Sequence, residues 1–323
     1  MKKHLVLAFV ILAGTLGFAQ PKPTGKLVQL DGYRLHLNCT GKGTPTVVIE
    51  NGFDEFSFDW IQVQGDVEKF TRICTYDRAG YAWSDAGPMP RTYDQINLDL
   101  LNALKKLNEK PPYLLVGHSF GGPVIQNFAL THRKEVAGLV FAESVGDDQR
   151  IVMGKKTARI ADFAQGRAIP TPHPKLIASD HEKATADHDN EPPKLYPPFD
   201  RLPAELQKTH LWALSQPSLQ QAENSEREWS PEYLSGWLKK GTAGSLGDLP
   251  IIVLAREKGG YGNDLDLPAE QLEVARKKGQ ADLAALSSRG KLQFVTGGHD
   301  IELENPKAVV VAIRELVNNL RRK

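Results

Sequence analysis

Five residues constrain this chain more than any others. Gly117-His118-Ser119-Phe120-Gly121 follows the apolar run Tyr113–Val116 directly and opens a helix-like stretch from about Phe120 to Thr131. A strand that turns sharply into a helix, with glycine on either side of a central serine, requires a strained turn and close packing of chain and helix. Such a turn presents the serine oxygen at the top of a sheet. A G-x-S-x-G string also arises by chance, so the strand before it and the helix after it carry the inference.

The surrounding pattern fits that turn. Lys26–Leu30 and Tyr33–Asn38 alternate apolar and polar residues around Asp31-Gly32, a β-hairpin signal. Short apolar runs follow at Thr46–Glu50, Thr71–Tyr76, Tyr113–Gly117 and Val136–Ala142, each the length of a buried strand. Between them, Tyr93–Leu107 places Ile96, Leu100, Leu101, Leu104 and Leu107 on one helical face. Strand-helix alternation of this kind predicts a mostly parallel sheet with helices on both faces, an α/β fold. From about Val145 to Gly247 strand signals lapse, and prolines and helical pieces (Ala204–Leu214, Pro231–Lys239) take over. Strands resume at Pro250–Ala255 and Lys291–Thr296, before a last helix at Lys307–Leu320. The expected organisation is a core of residues 25–147 and 248–323, interrupted after its sixth strand by a mostly helical cap of residues 148–247. So long an insertion inside a compact domain is usually functional or disordered.

Composition narrows the partners. With 40 basic and 39 acidic residues the formal charge is +1, so neither a nucleic-acid stripe nor a polybasic membrane patch is present. Lys2 and Lys3 precede an apolar run from Leu5 to Phe18, and Gly17-Phe18-Ala19 ends in small residues suited to cleavage. Residues 1–19 read as a secretory signal peptide, and a run of that length is short for a spanning anchor helix, the alternative. Export implies a secreted or periplasmic protein with no stable membrane span after processing. In that oxidising setting Cys39 and Cys74, the only cysteines, suggest a disulfide, with two buried thiols as the alternative.

A serine hydroxyl needs a base. Of nine histidines, His299 stands in Gly297-Gly298-His299-Asp300, after the strand Lys291–Thr296 and before the last helix, and is the candidate. His36 lies in a strand, His118 is the variable residue of the turn, and His132 ends a helix. His173, His181 and His188 match no metal-ligand spacing, so no metal is expected. The acid is less determined. Glu143 ends the sixth strand, at the carboxyl edge of the sheet, and is the preferred acid, with a helix cap or a salt bridge to the cap as the other use of a glutamate there. Glu257 and Asp264 follow the seventh strand and are the alternatives. Donors for an oxyanion are expected from the backbone N–H of Phe120 and, after the strand Thr46–Glu50, from that of Phe53 beside Gly52.

At this point Gly117-His118-Ser119-Phe120-Gly121-Gly122 and the late Gly-His resemble the α/β-hydrolase superfamily. Asp77-Arg78-Ala79-Gly80-Tyr81-Ala82-Trp83-Ser84 resembles the Asp-Arg-x-Gly-x-Gly-x-Ser loop of its capped members, with Ala82 in place of the second glycine. Asn51 replaces the histidine of the family's His-Gly oxyanion motif. The resemblance covers about residues 25–147 and 248–323. It also bears on the acid, because some dehalogenases of the superfamily carry a glutamate 24 residues beyond the nucleophile, as Glu143 lies beyond Ser119. Those enzymes and the epoxide hydrolases use an aspartate nucleophile, which Ser119 argues against here.

The resulting expectation is a cofactor-free serine hydrolase acting on a carboxylic ester, or a lactone, thioester or amide. Its substrate would be a small molecule with an apolar part, because the cap contributes Tyr196, Phe199, Trp212, Trp229, Tyr233 and Trp237. Two other readings stay open. One is an aminopeptidase resembling the proline iminopeptidases, with the acidic Asp180–Glu191 stretch for the substrate amine. The other is a non-catalytic binding module on a hydrolase scaffold.

Overall fold

The computed structural model describes residues 21–144, 146, 150–163, 166–170, 193–257 and 268–322. The expected signal peptide, Asp264, His173, His181, His188 and the Asp180–Glu191 stretch lie outside the described residues. The sheet is built from β1 (Lys26–Gln29), β2 (Arg34–Thr40), β3 (Val47–Glu50), β4 (Ile73–Tyr76), β5 (Tyr113–His118) and β6 (Val136–Ala142). After the insertion it is completed by β9 (Ile251–Arg256) and β10 (Gly290–Val295), with β7 (Arg150–Met153) and β8 (Lys156–Arg159) forming a separate hairpin. The order is β1-β2-β4-β3-β5-β6-β9-β10. Pairings from β4 to β10 are parallel, and β2 runs antiparallel to both β1 and β4.

Burial on two faces explains the unbroken apolar runs: every residue of β3, β5 and β9 is buried. One face is covered by α2 (Tyr93–Lys106), α3 (Gly121–Thr131) and α6 (Ala269–Ala285), whose Leu100, Leu104, Phe128 and Leu283 pack on Leu115, Leu139 and Val253. The other is covered by α1 (Ile61–Val67) and α8 (Pro306–Arg321). In α8, Val309, Ile313, Leu316 and Val317 are buried, each worth roughly 1.5–3 kcal/mol of transfer. Asn305 starts that helix by accepting the Ala308 N–H on its side chain, with Pro306 in the first turn. α6 escaped the sequence reading because its buried face is mostly small or polar: Leu272, Ala275, Gly279, Gln280 and Leu283.

Cys39 and Cys74 face each other across β2 and β4 and form the disulfide, with Cα atoms 4.0 Å apart. The insertion carries α4 (Ala204–Leu214) and α5 (Pro217–Lys240), as the helical signals suggested. Its β7–β8 hairpin was not expected. Both strands are exposed or half-buried throughout, so neither has the one-sided apolar alternation that reveals a strand.

Candidate active site

Ser119 sits between β5 and α3 at φ +46°, a left-handed conformation that a serine holds only under constraint. The constraint is packing. A Cβ on Gly117 would come within 2.6 Å of the Gly121 carbonyl oxygen, and one on Gly121 would press into the carbonyl of Glu50. Strand and helix therefore meet at a distance only glycine permits. His299 lies in the loop between β10 and α7 (Ile301–Glu304), and its Nε2 is 3.0 Å from Ser119 Oγ. That is hydrogen-bonding distance for a base taking the hydroxyl proton.

Glu143 directly follows β6 at φ +42°, a second strained residue beside the first. Its N–H donates to the Leu254 carbonyl at 2.9 Å, which pins the strand end. Oε2 stands 4.0 Å from His299 Nδ1, an ion-pair distance longer than a hydrogen bond. The same carboxylate accepts the Arg256 N–H at 2.9 Å and Arg276 Nη1 at 3.0 Å, and contacts Arg256 Nη1. Burial alone would raise its pKa, but His299 and the two arginines outweigh burial and hold Glu143 below the ordinary glutamate value. It is thus kept ionised beside the base. Arg256, the last residue of β9 and the neighbour of Glu257, is buried against Glu143. Glu257 is exposed, its N–H donated to the Val295 carbonyl. The arginine clamp was missed although a charge at the carboxyl end of a central strand was a usable signal.

The loop after β3 reaches the nucleophile. A Cβ on Gly52 would lie 3.1 Å from Ser119 Cβ. The Gly52 N–H donates to Glu55 Oε2 at 2.8 Å. Phe53 stacks its ring on that of Phe120, centroids 4.1 Å apart, so the two expected oxyanion donors belong to adjacent, mutually packed residues. From below, Arg78 donates to the carbonyls of Asn51 at 2.7 Å and Gly52 at 2.9 Å. Ala82, where the resembling loops carry glycine, takes φ +37°, so the missing glycine leaves a strained alanine.

Of the aromatics in the insertion, Tyr233 stacks on Tyr93, whose ring meets Phe120 edge-on. With Phe53, Ile160 and Ala161 these form an apolar cluster next to the serine turn. Trp212 packs instead against Trp83, Phe199 against His210, and Trp229 under Arg167, while Tyr196 is exposed. Glu55, His118 and Glu302 converge closely enough to suggest a cation site. The direct contact of His118 Nδ1 with Glu55 leaves no room for an ion between them, and His118 Nε2 is engaged by a carbonyl.

A family model described as the alpha/beta hydrolase fold matches residues 45–306. The chain belongs to the α/β-hydrolase family. Among curated proteins, YqjL of Bacillus subtilis is 33% identical over 124 residues, covering 38% of this α/β-hydrolase and 49% of that protein. Epoxide hydrolase A of Mycobacterium tuberculosis is 29% identical over 121 residues, 36% of this chain and 37% of that one. The chain thus spans less than half the length of the curated relatives it matches. A thermophilic esterase from Thermogutta terrifontis shares the fold with TM-score 0.59 at 18% identity, over 93% of this chain and 99% of that one. A protein described as an N-acyl homoserine lactone degrading enzyme, Est816, gives TM-score 0.59 at 18% identity, over 90% and 99%.

Proposed function

We propose that this α/β-hydrolase is an exported serine hydrolase that cleaves carboxylic esters of small, partly apolar molecules through an acyl-enzyme. The observation that carries the reading is the 3.0 Å approach of His299 Nε2 to a serine held at φ +46° on a strand-helix turn. His299 takes the Ser119 proton as Oγ attacks the acyl carbon, then returns it to the leaving alcohol. Water repeats the sequence to release the acid. Glu143, ionised and 4.0 Å from Nδ1, stabilises the imidazolium formed in between. Backbone N–H groups of Phe120 and Phe53 receive the developing oxyanion. No step calls for a cofactor.

The esterase and lactone-degrading relatives in fold agree with acyl transfer, while Ser119 stands where the epoxide hydrolases carry aspartate. Export is supported by the residue 1–19 pattern and the Cys39–Cys74 disulfide; among the described residues no helix is long and apolar enough to cross a membrane. For the aminopeptidase reading, the carboxylates that α5 turns toward the core are engaged: Glu226 with Arg78, and Glu223 with Arg227 and the Asp54 N–H. They lend it no support.

The test is fluorophosphonate labelling together with a screen of p-nitrophenyl esters, lactones and amides. Ser119→Ala and His299→Ala should each lower kcat by on the order of 10⁴ or more, and the double variant should be little worse. Near-normal turnover by Ser119→Ala, or faster cleavage of proline p-nitroanilide than of p-nitrophenyl butyrate, would overturn it.

A further inference from the structure

His118, the variable residue of the serine turn, is fully buried. Its Nε2 lies 2.7 Å from the backbone carbonyl oxygen of His299. Its Nδ1 contacts the carboxylate of Glu55, whose other oxygen holds the Gly52 N–H at 2.8 Å. One side chain therefore joins three loops: the one bearing the base, the one beside the oxyanion, and the one bearing the nucleophile. We propose that His118 is a positioning residue that fixes the base loop and the oxyanion loop to the nucleophile strand and so sets His299 over Ser119. The inference rests on the Ser119–His299 reading above.

The hydrogen-bond chemistry defines the state of the ring. A carbonyl oxygen only accepts, so Nε2 carries a proton; an ionised carboxylate only accepts, so Nδ1 carries the other. His118 is therefore an imidazolium. Burial opposes that charge, but Glu55, Glu302 and Asp300 outweigh burial and raise its pKa well above the ordinary histidine value. Glu302, fully buried with Oε2 3.8 Å from Nε2, is pushed well above the ordinary glutamate range by burial and is the neutral member of the group. The rings of His118 and His299 have centroids 4.8 Å apart. His118 thus acts through two separable contacts, its Nε2 hydrogen bond to the base loop and its Nδ1 contact with the Glu55 carboxylate of the oxyanion loop.

Two substitutions separate them. Phenylalanine keeps a buried ring and loses both contacts and the charge. Glutamine keeps a donor in the place of Nε2 and loses the Glu55 contact and the charge. In the whole protein, with p-nitrophenyl butyrate, His118→Phe should lower kcat about 10–100-fold with KM within about three-fold of wild type. His118→Gln should recover most of kcat. Should His118→Phe not fold, His118→Asn, which keeps a donor in the place of Nδ1 and loses that of Nε2, is read in its place: kcat should fall with KM held, and wild-type kcat overturns the inference. It is also overturned by wild-type kcat in His118→Phe, by a loss confined to KM, or by glutamine restoring nothing. Fluorophosphonate labelling of the wild type, lost in Ser119→Ala, is run beside these. If it fails, the serine-hydrolase reading fails with it; if it succeeds and the His118 variants are unchanged, only the role of His118 is refuted.

Discussion

Within the sheet, β3, β5 and β9 bury every side chain and pack mainly apolar surface on both faces, whereas the seam between core and insertion adds buried charge to its aromatic contacts. There Arg78, fully buried, donates through Nε to Glu226 of α5 at 3.0 Å and through Nη1 to Glu50 of β3 at 3.1 Å. Tyr81 sets its hydroxyl 2.7 Å from Glu226, and His210 of α4 pairs with Asp59 at 3.1 Å. The two modes fail differently. Apolar burial tolerates substitution of similar volume, while a buried charge loses several kcal/mol when its partner is removed. The catalytic candidates stand where the modes meet, on rigid strand ends with an arginine clamp or a buried ion pair behind them.

The comparison breaks most sharply at Glu143, which belongs to both modes. Glu143→Gln should cost on the order of 10³–10⁴ in kcat through a misoriented imidazole and the lost charge. It should also cost stability, because Arg256 and Arg276 lose their carboxylate. Glu257→Gln and Asp264→Asn should stay within a few-fold of wild type in steady-state assays. The reverse ranking would move the acid to the seventh sheet strand and leave Glu143 as the centre of a structural ion pair. Next in size is Arg78→Met, which strands Glu50 and Glu226 and should lower unfolding free energy by about 3–5 kcal/mol in urea titration. A loss under about 1 kcal/mol would mean the seam is not held by charge. Removing the Cys39–Cys74 crosslink, by Cys39→Ser with Cys74→Ser, should cost up to about 3–4 kcal/mol in the chain-entropy model with activity per folded molecule retained. Free thiols in the unreduced, denatured protein would remove that expectation altogether.

The smallest effect is a slope with pH. Burial pushes Glu50 and Glu223 up from 4.5 to about 7. Between those values the folded protein keeps protons that the unfolded chain releases. These two groups therefore stabilise the fold fully below about pH 4.5, and that contribution is lost as pH rises to about 7. Glu223→Gln should flatten the fall of the urea midpoint between pH 5 and 7.5. An unchanged slope would say that Glu223 is ionised in the folded protein and that the seam carries one more negative charge than described.

Legibility in the sequence divides along the same line. The sheet, the serine turn and His299 could be read because each is local: an apolar run of strand length, glycines two residues either side of a serine, a histidine between the last strand and the last helix. Glu143 was reachable by its place at a strand end. The side chains that hold these groups were not, because their partners are far apart in the chain. Arg256 and Arg276 meet Glu143 across 113 and 133 residues, and Arg78 meets Glu226 across 148. His118 was passed over because the turn motif leaves its position open, and nothing local marks Glu55 as its partner. The hairpin β7–β8 stayed hidden for a different reason, since its residues are too exposed to carry a pattern.

Arg78 has one consequence for how such enzymes diversify. It touches α5 of the insertion through Glu226 and the Asn51-Gly52 turn through its other nitrogens, so the insertion is not interchangeable. An insertion transplanted from a relative would have to bring a carboxylate to the same spot on its own second long helix, or leave the buried Nε of Arg78 without its acceptor. Exchange of this insertion between relatives is therefore restricted to donors carrying that acid. Drift within the insertion is restricted likewise where Trp212, Tyr233 and His210 meet Trp83, Tyr93 and Asp59 of the core.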